Sequence, residues 1–123
     1  MIHLDTSFLI LALRPGSAED GRLRTWNAAG EDIAVSAVAW AEFRCGPLSS
    51  PHLEAADRIV GPRIDFTDGD AAMAARLFNA SGRRRGSLPD CMIAAVALGR
   101  GARLATADQR DFHRFEALGL ELA

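Results

Sequence analysis

Four acidic residues of this chain stand where a purely structural role is awkward: Asp5, Glu42, Asp90 and Asp108. Asp5 directly follows the short β-like run Ile2-His3-Leu4, and Asp108 comes three residues after the run Arg103-Leu104-Ala105. Either could be an N-cap for the helix after it. Glu42 shares a helical face with Val38, Ala41 and Cys45, where an unpaired carboxylate is costly to bury. Its alternative is a partly exposed ion pair with Arg44 or another arginine. Asp90 closes Ser87-Leu88-Pro89-Asp90, which fits a capping box. Yet it opens Cys91-Met92-Ile93-Ala94-Ala95-Val96-Ala97-Leu98, a helix apolar on every side, so Asp90 enters a largely buried region. Asp111, one turn after Asp108, is either a surface acid or a supporting neighbour of the four. The remaining acids, Asp65, Asp68 and Asp70 among them, fall on polar faces or loops and read as solvated surface.

If the four meet, they cannot all stay charged and unpartnered. Carboxylates ~5 Å apart at an effective dielectric of ~20 repel by about 3 kcal/mol per pair. Summed over the pairs, this approaches the ~5–15 kcal/mol that holds a small domain together. Such a cluster takes up protons or holds a cation. Oxygen-only ligands select Mg²⁺ or Mn²⁺ over zinc, and a metal-bound water beside a phosphodiester is a nucleophile.

The elements that must position these acids alternate. β-like runs at Ile2–Leu4, Ile33–Val35, Arg63–Phe66 and Arg103–Ala105, with an edge run at Leu120–Leu122, are separated by helical stretches. The helices span roughly 7–13, 17–29, 36–45, 52–60, 67–82 and 87–98, punctuated by Pro15-Gly16, Gly30, Gly46-Pro47, Gly61-Pro62 and Gly99 to Gly101. Ser17 and Ser36 are expected N-caps. This alternation predicts right-handed crossovers and a mainly parallel sheet covered on both faces, with any site beyond the carboxyl ends of its strands.

Composition narrows the functions open to the chain. Its 123 residues are 49% apolar, enough for one core. Sixteen acids against fourteen bases give a net charge of −2, so any nucleic-acid contact rests on a local patch. Every base is arginine. A receiver domain and a haloacid-dehalogenase-type phosphatase both need a lysine and are therefore excluded. No P-loop or G-x-G-x-x-G is present. Cys45 and Cys91 form no metal-binding spacing and read as small buried hydrophobes. Trp26, Trp40 and the phenylalanines read as packing residues. The apolar run Phe8 to Leu13 is too short to span a bilayer, and the expectation is a soluble cytoplasmic protein with no membrane association.

At these residues the sequence resembles a PIN domain, and specifically the ribonuclease toxins of VapBC toxin–antitoxin pairs. The likeness runs through Ile2-His3-Leu4-Asp5-Thr6-Ser7-Phe8-Leu9-Ile10, Val35-Ser36-Ala37-Val38-Ala39-Trp40-Ala41-Glu42, Leu88-Pro89-Asp90-Cys91-Met92-Ile93-Ala94-Ala95 and Leu104-Ala105-Thr106-Ala107-Asp108-Gln109-Arg110-Asp111-Phe112, nearly the whole chain. It implies one PIN domain over residues 1–123, a three-layer α/β/α fold around a central parallel sheet of four or five strands. It also implies that Asp5, Asp90 and Asp108 ligate Mg²⁺ (or Mn²⁺), directly or through water, while Glu42 holds or deprotonates a metal-bound water. Thr106 would orient the site, with Ser7 and Asp111 in support.

The implied activity is metal-dependent endonucleolytic hydrolysis of RNA. Arg83, Arg84 and Arg85, in the loop before Asp90, and Arg110, beside Asp108, would meet phosphates, since the guanidinium fork suits them. The implied partners are RNA, a VapB-like antitoxin and a second copy of the chain. The helix from Ser7 and the helix 17–29 could together form the antitoxin groove. The alternative is a non-catalytic module that keeps the fold and uses the acids to bind metal or a partner.

Overall fold

The computed structural model describes residues 1–123. In chain order the elements are β1 (Ile2–Leu4), α1 (Thr6–Ala12), α2 (Ala18–Ala28), β2 (Ile33–Ser36), α3 (Ala37–Arg44), α4 (Ser50–Ile59), β3 (Arg63–Ile64), α5 (Asp68–Ala80), α6 (Leu88–Gly99), β4 (Arg103–Ala105) and α7 (Gln109–His113), followed by a 3₁₀ turn at Glu116–Leu118. The strands form one parallel sheet in the order β3-β2-β1-β4. β1 and β2 are buried along their whole length, as expected of parallel strands with helices on both faces. The PIN-like α/β/α architecture is therefore present, with four strands. The chain runs outward from β1 to β2 to β3 and then returns to the other side of β1 as β4. The order thus reverses between β1 and β4, and there the carboxyl ends of two neighbouring strands open a crevice.

Local chemistry fixes the element ends. α1 starts at Thr6 because Asp5 takes the N-cap, accepting a hydrogen bond from the Phe8 amide. Ser17 and Ser36 cap α2 and α3 as their sequence positions predict. α6 buries Cys91, Ile93, Ala94, Ala95, Val96 and Ala97. Its alanines let α5 pack closely along it. Phe8 stacks on Trp26 with centroids 5.5 Å apart, fastening α1 to α2, and Trp40 stacks on Phe43 at 5.3 Å. The tryptophans therefore pack, as expected.

Several expectations are corrected. The strand read over Arg63–Phe66 is only Arg63–Ile64, because its sole neighbour β2 ends at Ser36, opposite Ile64. Leu120–Leu122 contributes a single bridge from Leu122 to Leu104 rather than an edge strand. Cys91 is buried, but Cys45 is exposed at the end of α3. Asp70 is not solvated surface; it is 4% exposed. It completes a capping box with Thr67 and receives the Arg100 guanidinium from the end of α6. The pairing satisfies a carboxylate that the α5–α6 contact would otherwise strand. No helix is long and apolar enough to cross a membrane.

His3 is a further buried polar group, 1% exposed in β1. Its Nδ1 has no partner, and burial, with the nearby charges of Arg100 and the N-terminus, lowers its pKa to about 4. The unfolded chain binds this proton near pH 6.5 and the folded chain only near 4, so stability falls as pH drops through that interval. Replacing His3 by Val should flatten that acid loss, read as a smaller fall in Tm between pH 6.5 and 4. An unchanged slope would show that His3 is not the group that titrates.

Candidate active site

The crevice between β1 and β4 is built around Asp5. β1 and β4 are in register with Leu4 opposite Ala105, and the Asp5 amide donates to the Ala105 carbonyl at 3.0 Å. Asp5 therefore leaves the sheet beside Thr106. Its Oδ1 accepts from the Phe8 amide and the Ser7 hydroxyl, both at 2.8 Å, and its Oδ2 accepts from the Thr106 hydroxyl at 2.5 Å. The same two hydroxyls secure the opposite wall. Thr106 Oγ1 accepts from the Asp108 amide at 2.9 Å, and Ser7 Oγ from the Ala107 amide at 3.2 Å. Ser7 and Thr106 thus lock the loop carrying Asp108 to the residue that ends β1. Burial raises the pKa of Asp5 against the lowering effect of these donors, and the charge of Glu42 raises it further.

Asp5, Glu42, Asp90, Asp108 and Asp111 all line one cleft of about 260 Å³, walled elsewhere by Ile10, Ile93 and Phe112. Glu42 projects from α3 and is exposed; the Thr6 hydroxyl donates to its Oε1 at 2.8 Å. No pairing with Arg44 is present. Asp90 is not a capping-box acid, since the Ser87 hydroxyl instead donates to the Arg84 carbonyl at 2.6 Å. Asp108 occupies an N-cap position without making the cap bond. Both side chains are left to face the cleft. The pKa of Asp90 rises to about 6, chiefly through burial, then through the charges of Asp111, Glu42 and Asp5, with Arg114 opposing them.

The arginines divide. Arg84 reaches the cleft rim and meets Asp111 at 3.4 Å. Arg83 turns back to Asn79 and the Phe78 ring, its backbone held at φ 53°, and Arg85 is exposed. Arg110 does not line the acidic cleft; it borders a separate depression with His113 and Glu116. Two contributors escape a reading of the sequence. One is Thr6, to which the sequence offers no role beyond its place in the opening Ile2–Ile10 segment. The other is Arg114, 3.9 Å from Asp90, a residue that no local pattern connects to an acid on another helix.

A hard divalent cation suits this donor set. Five carboxylates face one cleft, and the ion pairs of the structure place only Arg84 and Arg114 against any of them. No three of the acids converge as a ready-made ligand cage. A cation would therefore be held partly through its own waters, which small hard ions retain.

An apolar groove opens next to this cleft, lined by Ile10, Leu13, Phe43, Pro47 and Leu48, with Ile10 common to both. It lies between α1 and the α3–α4 connection. α1, one of the two helices expected to offer an apolar groove, contributes Ile10 and Leu13 to it, while Phe8 and Trp26 fasten α1 to α2.

Comparison with known proteins agrees with this architecture. Residues 2–118 match the family model for the PIN domain, and the chain belongs to that family. No curated protein sequence matches. Among solved structures, VapBC2 from Rickettsia felis, bound to a DNA fragment from its promoter, aligns at a TM-score of 0.80 with 23% identity, over 100% of this chain and 98% of that one. FitAcB from Neisseria gonorrhoeae aligns at 0.75 with 25% identity, over 99% and 96%. Mycobacterium tuberculosis VapC20, described as a sarcin–ricin loop cleaving toxin, aligns at 0.69 with 21% identity, over 100% and 98%. The likeness to VapC-type toxins thus holds over the whole fold.

The raised pKa of Asp90 carries a stability consequence. The folded state keeps this proton to about pH 6, the unfolded chain only to 3.8. The stabilisation is complete below 3.8 and is lost as pH rises through 6. In metal-free buffer at pH 7–8, Asp90→Asn should therefore melt roughly 5 °C above the parent, on the order of 1 kcal/mol at this size. The gap should close below pH 4. A variant that melts lower at pH 8 would show that Asp90 is not held against repulsion.

Proposed function

We propose that the chain is a divalent-metal-dependent endoribonuclease that acts as the toxin of a toxin–antitoxin pair. The observation that carries this reading is the convergence of Asp5, Glu42, Asp90, Asp108 and Asp111 on one cleft at the point where the strand order reverses. Asp5, Asp90 and Asp108 would hold Mg²⁺ or Mn²⁺. When bound, such an ion lowers the pKa of its water and offsets charge on the departing oxygen of a phosphodiester.

The protein's own groups do the rest. Ser7 and Thr106 hold Asp5 in one orientation, so its carboxylate needs no reorganisation on binding. Glu42, steadied by Thr6 and open to solvent, is the carboxylate able to accept a proton from the attacking water. Arg84 at the rim, with the exposed Arg85 in the same loop, would meet substrate phosphates, exchanging the Asp111 contact for a phosphate oxygen, while Arg83 is turned back to Asn79 and Phe78. Asp111 offsets the Arg84 charge until then. Arg110 faces elsewhere, and any phosphate it meets lies outside the cleft.

The description of VapC20 as a toxin that cleaves the sarcin–ricin loop supports RNA as the substrate class. The VapBC assemblies among the structural matches support a VapB-like antitoxin as partner. The groove of Ile10, Leu13, Phe43 and Leu48 would receive an apolar antitoxin segment. A second copy of the chain completes the proposed assembly.

Purified protein incubated with Mg²⁺ and labelled RNA tests the reading. Asp5→Asn, Asp90→Asn and Asp108→Asn should each slow cleavage by about a hundredfold or more while far-UV circular dichroism stays unchanged. Full activity in all three would remove the catalytic assignment and leave a metal- or partner-binding module. Millimolar Mg²⁺ or Mn²⁺ should also raise Tm without RNA, by mass action on the native state. A Tm indifferent to both ions would count against a metal site.

A further inference from the structure

Arg114 follows α7 and is the least satisfied charge in the molecule. Its side chain is 17% exposed. Nε, Nη1 and Nη2 are all buried, and none has a hydrogen-bond partner. A guanidinium carries five N–H donors, and leaving them unpaired away from water is costly. Its guanidinium carbon lies 4.6 Å from the ring centroid of Phe115, which is fully buried. That stacking supports the group from one face but satisfies none of its in-plane donors. The single carboxylate paired with it is Asp90, with Nη2 3.9 Å from Oδ2. This is a charge pair, about 1 Å too long for a hydrogen bond.

We propose that Arg114 is a positioning residue that holds the Asp90 carboxylate by one oxygen, Oδ2, and so leaves the other free to face the cleft. The inference rests on the reading of the cleft as a divalent-cation site. Asp5 is held by three donors and Glu42 by the Thr6 hydroxyl. Asp90 receives no hydrogen bond from the protein, and Arg114 is the one cation placed against it. The surroundings leave Arg114 no other task. Its three nitrogens are buried, and its guanidinium lies over the Phe115 ring rather than in solvent. Asp111 is paired with a different cation, Arg84, at 3.4 Å.

Simple electrostatics and positioning predict opposite results, and this makes the inference testable. A cation beside a metal site repels the metal, so removing it should tighten binding if charge alone mattered. Where a ligand depends on an outer partner for orientation, loss of that partner weakens metal binding by about 10–100-fold. Mn²⁺ binding to the full chain, without RNA, is read from the free Mn²⁺ signal in electron paramagnetic resonance. Arg114→Met, which fills the same volume without charge, should raise the Mn²⁺ dissociation constant at least tenfold while the metal-free Tm stays level or rises. Arg114→Lys keeps the charge but not the planar fork, so it should weaken Mn²⁺ binding by less; it decides the matter if the methionine variant unfolds. Parent-like or tighter Mn²⁺ binding in the folded variants would overturn the inference. Asp90→Asn is measured alongside. If it too binds Mn²⁺ like the parent, the cation-site reading has failed; if it loses Mn²⁺ and the Arg114 variants do not, only the role of Arg114 is wrong.

Discussion

The Asp5 carboxylate is held by Phe8, Ser7 and Thr106, and this constraint ties the two halves of the crevice together. One of these bonds starts α1, another comes from within that helix, and the third reaches across to the loop after β4. The hydroxyls of Ser7 and Thr106 each accept a backbone amide from the loop that bears Asp108. Sheet register, helix initiation and cleft geometry therefore rest on one small hydrogen-bonded knot. Its location follows from topology. A parallel sheet whose order reverses beside its first strand leaves that strand's carboxyl end uncovered, and Asp5 is the residue found there.

The knot does not remove the electrical problem of the cleft. Around a well-held Asp5 the protein places Glu42, Asp90, Asp108 and Asp111. The strain falls mainly on Asp90, partly buried and facing the charges of Asp111, Glu42 and Asp5 with only Arg114 in opposition. Energy that could have gone into stability is held as a standing demand for positive charge. Strength elsewhere compensates, in the closely packed α5–α6 pair and the stacked Phe8 and Trp26. Asp70 and Arg100 show the contrasting solution, in which an enclosed carboxylate is neutralised by a dedicated partner and contributes only to structure.

Most of the architecture was legible in the sequence because it rests on local rules. Serine caps, glycine and proline stops and the all-apolar run after Asp90 located the helices, and the alternation of element types implied parallel strands. Four of the five acids of the cleft could be singled out because each sat awkwardly for its local environment; Asp111, equally readable as a surface acid, could not. What local rules miss is what two distant elements decide between them. Asp70 read as solvated surface until α6 delivered Arg100 to it. Arg63–Phe66 had strand-like residues, but an edge with one neighbour holds only two of them. His3 read as one residue of an apolar strand, and only the closed sheet shows its ring without a partner for Nδ1. Arg110 lay near Asp108 in sequence yet projects elsewhere, whereas Arg114, one helical turn later, meets Asp90.

The double service of Asp5 also shapes how the cleft can be dissected. The same carboxylate that faces the other acids opens α1, so truncation to alanine would uncap a helix as well as delete a charge, and a loss measured afterwards would mix scaffold damage with chemistry. Asp108 has no such second duty, since it caps nothing and is exposed. Among the acids gathered here, it is the position where shortening the side chain reports on the cleft alone.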